Sequence, residues 1–76
     1  MQPPLKRLHP DRSLSKSGLE YWRRQRTEVI VESLAPGRRE SLKVKPDGTV
    51  MDGNTRVKVL QERGYDVNEL PREPYP

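Results

Sequence analysis

The residues of this chain best suited to chemistry are Asp52-Gly53-Asn54-Thr55-Arg56. They follow Thr49-Val50-Met51, which reads as a strand, and precede the helical pattern of Val57 to Arg63. A strand that ends in a tight turn and opens a helix leaves the helix's first N–H groups without intrahelical acceptors, at the positive end of its dipole. The natural ligand of such a junction is an oxyanion, above all a phosphate. Gly53 permits a positive φ or a close backbone approach. Asn54 and Thr55 can donate hydrogen bonds to a phosphate or a base, and Arg56 can bind phosphate through two parallel N–H groups. Asp52 suits a helix cap, or a partner for Arg56 or for a metal-bound phosphate. The same spacing also suits a purely structural junction in which Arg56 pairs with Asp52 or Asp66.

Other chemistries find little support. There is no cysteine, which removes disulfides, thiol catalysis and thiolate metal sites, and fits a reducing cytoplasm as the expected location. The single histidine, His9, falls in a Pro-rich terminal stretch, so neither a zinc site nor a histidine catalyst is expected, and no catalytic or metal-ligating residue is assigned. Asp47, Asp52 and Asp66 are scattered, whereas a nuclease or nucleotidase wants clustered carboxylates for its metal ions. An enzyme is therefore the least favoured class. No apolar run approaches the roughly 18 residues of a membrane span, and no signal-peptide core opens the chain, so no membrane partner is expected.

The net charge of +4 is unevenly spread. Residues 1–45 hold eleven Lys/Arg against five Asp/Glu, and residues 46–76 hold four against six. A basic front half suits nucleic acid or another polyanion, with Arg23, Arg24, Arg26, Arg38 and Arg39 as the candidate contacts. It equally suits a solvated surface.

The elements that must position the turn can be read in order. Met1–Arg12 is Pro-rich and aperiodic and reads as disordered. Ser13, Ser15 and Ser17 offer helix N-caps, Ser17 and Glu20 have capping-box spacing, and Leu19, Trp22, Val29, Ile30 and Leu34 mark one helical face that Pro36-Gly37 ends. The β-branched residues of Thr27–Val31 compete as a strand, and the helix has a natural break near Thr27. Trp22 reads as a core anchor more readily than as a stacking platform. Leu42-Lys43-Val44-Lys45 and Thr49–Asp52 read as a hairpin around Pro46-Asp47-Gly48. A three-residue loop sets Val44 opposite Val50, and a two-residue loop sets it opposite Met51. Asn54 or Asp52 caps the second helix and Gly64 ends it. Val57 and Leu60 face the core, with Val59 to the side.

The segment Leu42 to Arg63, with its Asp-Gly-Asn-Thr-Arg turn, resembles the central part of ParB-like domains in the ParB/sulfiredoxin superfamily. Val29 to Gly37 resembles the helix that precedes it there. The resemblance implies a Gly-x-x-Arg turn that binds nucleotide phosphates, with Gly53 and Arg56 as contacts and Asn54 and Thr55 lining the pocket. It also implies a nucleoside triphosphate as the possible cofactor. Three departures limit it. Sulfiredoxin chemistry needs a cysteine where Asn54 stands. Thr55 replaces the first of two adjacent arginines, and the opening strand and Gln-Pro-Arg stretch are not recognisable upstream. The chain stops where a helix-turn-helix DNA reader would begin, so recognition of a centromere-like sequence is not expected of it.

The expected architecture is α+β: one small domain with an N-terminal helix, a β-hairpin and a second helix packed on the sheet. Residues 17–72 would form a minimal ParB-like domain between a disordered basic, Pro-rich tail (residues 1–16) and a loose tail (residues 73–76). The expected function is non-enzymatic binding of a phosphate group, of a nucleotide or of nucleic acid, at Asp52–Arg56. The alternative is a protein-interaction module, for example a partner within a small bacterial operon such as a toxin–antitoxin pair, that kept the fold without the ligand. Oligomeric state does not follow from the sequence.

Overall fold

The computed structural model describes residues 2–76. Three α-helices and a four-stranded mixed sheet form the expected α+β arrangement. The hairpin is its centre. Strand β2 (Lys43–Val44) runs antiparallel to β3 (Thr49–Asp52), with Val44 opposite Val50. The Lys45 amide donates to the Thr49 carbonyl at 2.9 Å, so the loop is the three-residue Pro46-Asp47-Gly48. Asp47 pins that loop by accepting from the Thr49 amide at 2.9 Å. A register shift at Lys43/Val44 then sets Lys43 opposite Asp52.

Helix α1 (Lys16–Arg23) is capped by Ser15, whose hydroxyl accepts from the Gly18 amide at 3.2 Å. The Ser17–Glu20 capping box is therefore not made, and Ser17 lies inside the helix. Leu14 and Leu19 hold the two positions of a hydrophobic staple around a Ser15 cap; Leu19 is in the core and the half-buried Leu14 packs against it. Their burial sets where the helix starts. Thr27–Ser33 forms a separate helix, α2, so the helical reading of this stretch holds and the strand reading does not. The interruption at Arg24–Arg26, beside the expected break at Thr27, is bridged from elsewhere in the chain. Arg63 reaches back and donates through Nη2 to the carbonyls of Arg23 (3.0 Å) and Gln25 (2.8 Å), and through Nη1 to the Thr27 hydroxyl (2.9 Å). These bonds satisfy the carbonyls that the break sets free.

Helix α3 (Asn54–Glu62) ends in a Schellman motif at Gly64, with Tyr65 donating to Leu60 and Gly64 to Gln61, each at 3.0 Å. Val57, Val59 and Leu60 are all fully buried, so the placing of Val59 to the side is corrected. Both α1 and α2 pack on α3, and a helix covered from two directions buries more than one stripe. Val29, by contrast, leaves the expected core face and is exposed, while Ile30 and Leu34 are buried. Leu19, Leu42, Val44, Val50, Val67 and Leu70 complete one core shared by helices and sheet.

The terminal segments differ most from expectation. Lys6–Arg7, within the stretch read as disordered, forms β1, parallel to β3; Glu73–Pro74, read as a loose tail, forms β4, parallel to β2. The sheet order is β1-β3-β2-β4. Met1 lies outside the described residues. The physical reason is the hairpin's open edges: a two-stranded ribbon presents two rows of unpaired backbone groups. Lys6 donates to the Gly48 carbonyl at 2.8 Å on one edge, and Glu73 to Leu42 at 2.8 Å and Tyr75 to Val44 at 3.1 Å on the other. Pro74 falls between the two bonding positions, where a missing N–H costs nothing. The two ends also meet, since Arg72 Nη1 donates to the Pro3 carbonyl at 2.6 Å.

An ionic belt fastens β1 to the helices. Asp11, in a 3-10 turn at Asp11–Ser13, pairs with Arg7 and with Lys58 (3.2 Å); Lys58 pairs with Glu62 (3.7 Å). Glu62 accepts two hydrogen bonds from Arg23, at 3.0 and 2.6 Å. Arg23 foremost, with Lys58, holds the Glu62 carboxyl below its ordinary value of 4.5, and Arg7 and Lys58 do the same for Asp11.

Because both carboxyls are depressed, the belt stabilises the fold above the unfolded pKa of about 4 and is lost as pH falls through the lower folded values. Thermal unfolding followed from pH 6 to 3 should therefore show a falling midpoint, with a shallower decline in Glu62→Gln. Gly48 has φ +95°, and a Cβ there would stand 2.2 Å from the Pro4 carbonyl oxygen. Gly48→Ala should cost about 1–2 kcal/mol through the left-handed backbone alone. It should also free β1, seen as faster hydrogen exchange at Lys6 and Leu8 than at Val57.

Candidate anion-binding site

Chain direction reverses at Gly53, which has φ 108° and ψ 11° and serves as the N-cap of α3. A side chain there would press on Leu34 Cδ2 at 3.1 Å and Leu42 Cδ1 at 3.3 Å. Glycine is required on both counts. Neither Asp52 nor Asn54 caps the helix, which corrects that expectation: no side chain accepts from its first turn. The first bond of the ladder runs from the Val57 amide to the Gly53 carbonyl at 2.9 Å. The amides of Asn54, Thr55 and Arg56 consequently have no acceptor among the described residues.

Those residues line a cavity of about 370 Å³, together with His9, Ser13, Leu14, Ser15, Trp22 and Glu40. Arg56 is its most unusual component. Only 7% of the residue is exposed, yet no carboxylate lies within 4.0 Å of it among the described residues. The expected pairing with Asp52 or Asp66 is not made. Arg56 Nη1 donates to the Ser33 hydroxyl at 3.1 Å and the Ser33 carbonyl at 3.3 Å, and the guanidinium carbon lies 5.3 Å from the centre of the Trp22 ring. Burial pushes the Arg56 pKa down, while attraction to Glu40 and Asp52 pushes it up. A guanidinium remains protonated regardless.

The remaining sequence-derived residues separate by role. Asp52 is exposed, faces Lys43 at 4.0 Å across the hairpin and does not line the cavity. Asn54 lines it, but its side chain is committed to structure: Oδ1 accepts from the Leu8 amide at 2.9 Å and Nδ2 donates to the Val50 carbonyl at 3.0 Å. It thereby ties the end of β1 to β3 and offers a ligand its backbone N–H alone. Thr55 and Arg56 keep side chains beside the cavity. Among the five candidate nucleic-acid arginines, Arg23 pairs with Glu62, Arg26 with Glu28 at 3.6 Å and Arg38 with Glu32; Arg24 and Arg39 are exposed and have no such partner among the described residues. Among the described residues no three His, Asp or Glu side chains converge as a metal site.

Sequence reasoning missed His9, Ser13, Ser15 and Glu40. They come from the N-terminal segment and the α2–β2 connection, and no local pattern links them to Gly53. Trp22 was placed in the core; it packs against the core and is also a wall of the cavity. No protein-family model, no curated protein and no solved structure matches this chain.

Three terms make Arg56 unfavourable where it stands. It is buried, it has no counterion, and it places a cation in the first turn of a helix, against the dipole. Arg56→Met, similar in length and apolar, should therefore leave stability unchanged or raise it by about 1 kcal/mol. Ser33 keeps its own bond to the Ile30 carbonyl at 2.7 Å in either case. Urea unfolding of the two proteins checks the sign, and a clear loss would mark Arg56 as structural.

Proposed function

We propose that this chain is a minimal, non-enzymatic ParB-like binding module that holds a phosphate group at the Gly53–Arg56 turn. The observation that carries the reading is Arg56: a buried, unpaired guanidinium beside three free helix amides, open to a cavity. An oxyanion seated there would accept from those amides and from the guanidinium together, and would supply the countercharge that the protein lacks. The Thr55 hydroxyl is a further donor. Asn54 serves through its amide alone.

The resemblance of Leu42–Arg63 to ParB-like domains supports the same reading. So does β1, because an upstream strand is among the features that the sequence pattern lacked. A volume of about 370 Å³ lies at the low end of small-molecule sites. It suits a phosphate with part of a nucleoside, or a phosphate of a nucleic-acid backbone, better than a fully enclosed nucleoside triphosphate. Trp22 forms one wall for the non-phosphate part.

The second reading, a protein-interaction module, draws on Tyr21, which is 57% exposed on α1, and on Val29, exposed on α2. It needs no ligand at Gly53. Titration with CTP, ATP and a short DNA duplex, followed through backbone amide shifts, separates the two. The phosphate reading expects shifts at Gly53 to Arg56 with at least one of these, and none with Arg56→Met. No shift in that segment with any of the three would overturn it.

A further inference from the structure

We propose that the cavity selects a terminal phosphate monoester over the phosphodiesters of a nucleic-acid backbone, because a second helix N-terminus, that of α1, converges on it. The inference rests on the phosphate reading and names the ligand class of the same site.

Ser13, Leu14 and Ser15, which lead into α1 and cap it, line the cavity beside Gly53–Arg56. The first turns of α1 and α3 lie against each other: a Cβ on Gly18 would stand 3.8 Å from Thr55 Cγ2. Neither helix has an acidic residue in its first turn, so two positive helix ends meet with no offsetting charge of their own. The Ser15 oxygen accepts from the Gly18 amide at 3.2 Å and lies 3.0 Å from the Ser17 oxygen. With Ser17 as the donor of that pair, the Ser15 proton is free for an anion. The guanidinium completes the set. Among the described residues Arg56 is held through Nη1 alone, by Ser33. Its Nη2 would lie 3.7 Å from a Cβ on Gly53, beside the unpaired amides. Nε and Nη2, the second edge of the fork, remain for a ligand.

Charge then decides between the two kinds of phosphate. Each helix N-terminus acts as roughly half a positive charge, and Arg56 adds a full one. A phosphate seated between both helix ends and the guanidinium therefore meets about two positive charges. A terminal monoester carries close to two negative charges at pH 7.5, since its second pKa is about 6. An internal diester carries half of that. Donors on two sides also match the monoester's three unesterified oxygens, whereas a diester has only a pair and must thread its second ester bond past α1. Glu40 is the acidic side chain of the wall; it is exposed, pairs with no cation within 4.0 Å among the described residues, and is screened by water.

Methyl phosphate and dimethyl phosphate are the suitable probes, because they differ little except in charge and free oxygens. Their affinities would be read at pH 7.5 from the Gly53–Arg56 amide shifts, in the parent chain and in Ser15→Asp. Aspartate keeps the cap on Gly18 but replaces a donor at the α1 end with a negative charge. The parent should bind methyl phosphate about tenfold or more tightly than dimethyl phosphate, and Ser15→Asp should bring the ratio toward unity. Cytidine 5′-monophosphate and a 5′-phosphorylated tetranucleotide should each bind, their relative affinity separating a free mononucleotide from a nucleic-acid end. The same tetranucleotide without its 5′-phosphate should bind about tenfold more weakly. Equal affinity for the two methyl esters, an unchanged ratio in Ser15→Asp, or indifference to the 5′-phosphate would overturn the selectivity and leave the phosphate site standing. Failure of every probe to shift Gly53–Arg56 would overturn both.

Discussion

The structure depends on one backbone conformation, the left-handed Gly53 between β3 and α3. β3 is the strand on which both β1 and β2 pair, and α3 is the helix on which both α1 and α2 pack. The junction sets the relation between these two central elements, and Leu34 and Leu42 close beneath it in space that any side chain would occupy. The same turn leaves three amides unpaired, because a glycine N-cap contributes no side-chain oxygen. Packing and binding potential thus arise from one missing Cβ.

Around this turn, Asn54 and Arg56 differ in how far their side chains are committed to the fold. Asn54 spends its side chain on Leu8 and Val50 and so behaves as a strut between β1 and β3. Arg56 does the reverse. It accepts burial without a carboxylate and sits at the wrong end of a helix dipole, with Ser33 and the Trp22 face as partial compensation. A residue that stability alone would disfavour is an indication of a ligand-directed role. Glu40 lines the same cavity and attracts the guanidinium without pairing with it.

The terminal segments complete both the sheet and the cavity. A lone hairpin with open edges is marginal in water, and the tails cover those edges while donating few hydrogen bonds of their own. Docking of the first strand also delivers His9, Ser13 and Ser15 to the mouth of the cavity. Composition of the site is therefore coupled to edge pairing, through Gly48, Asn54 and the belt of Asp11, Lys58 and Glu62. No helix is long and apolar enough to cross a membrane among the described residues.

The features legible in the chain alone are local. The hairpin loop at Pro46-Asp47-Gly48, the glycine between β3 and α3, the Gly64 stop and the Ile30, Leu34, Val57 and Leu60 core follow from turn chemistry and period, which act over a few residues. Tertiary structure decided the rest. It chose the three-residue register, selected Ser15 among the candidate caps of α1 in place of the Ser17–Glu20 box, bridged the helix break near Thr27 with donors from Arg63, and turned Pro-rich tails into edge strands. It also left Arg56 without the carboxylate that spacing suggested and gathered His9 and Glu40 around it. Each of these outcomes depends on a partner distant in sequence, a backbone edge or a free carbonyl that exists only once other elements are in place. Such partners leave no periodic trace in the chain that meets them.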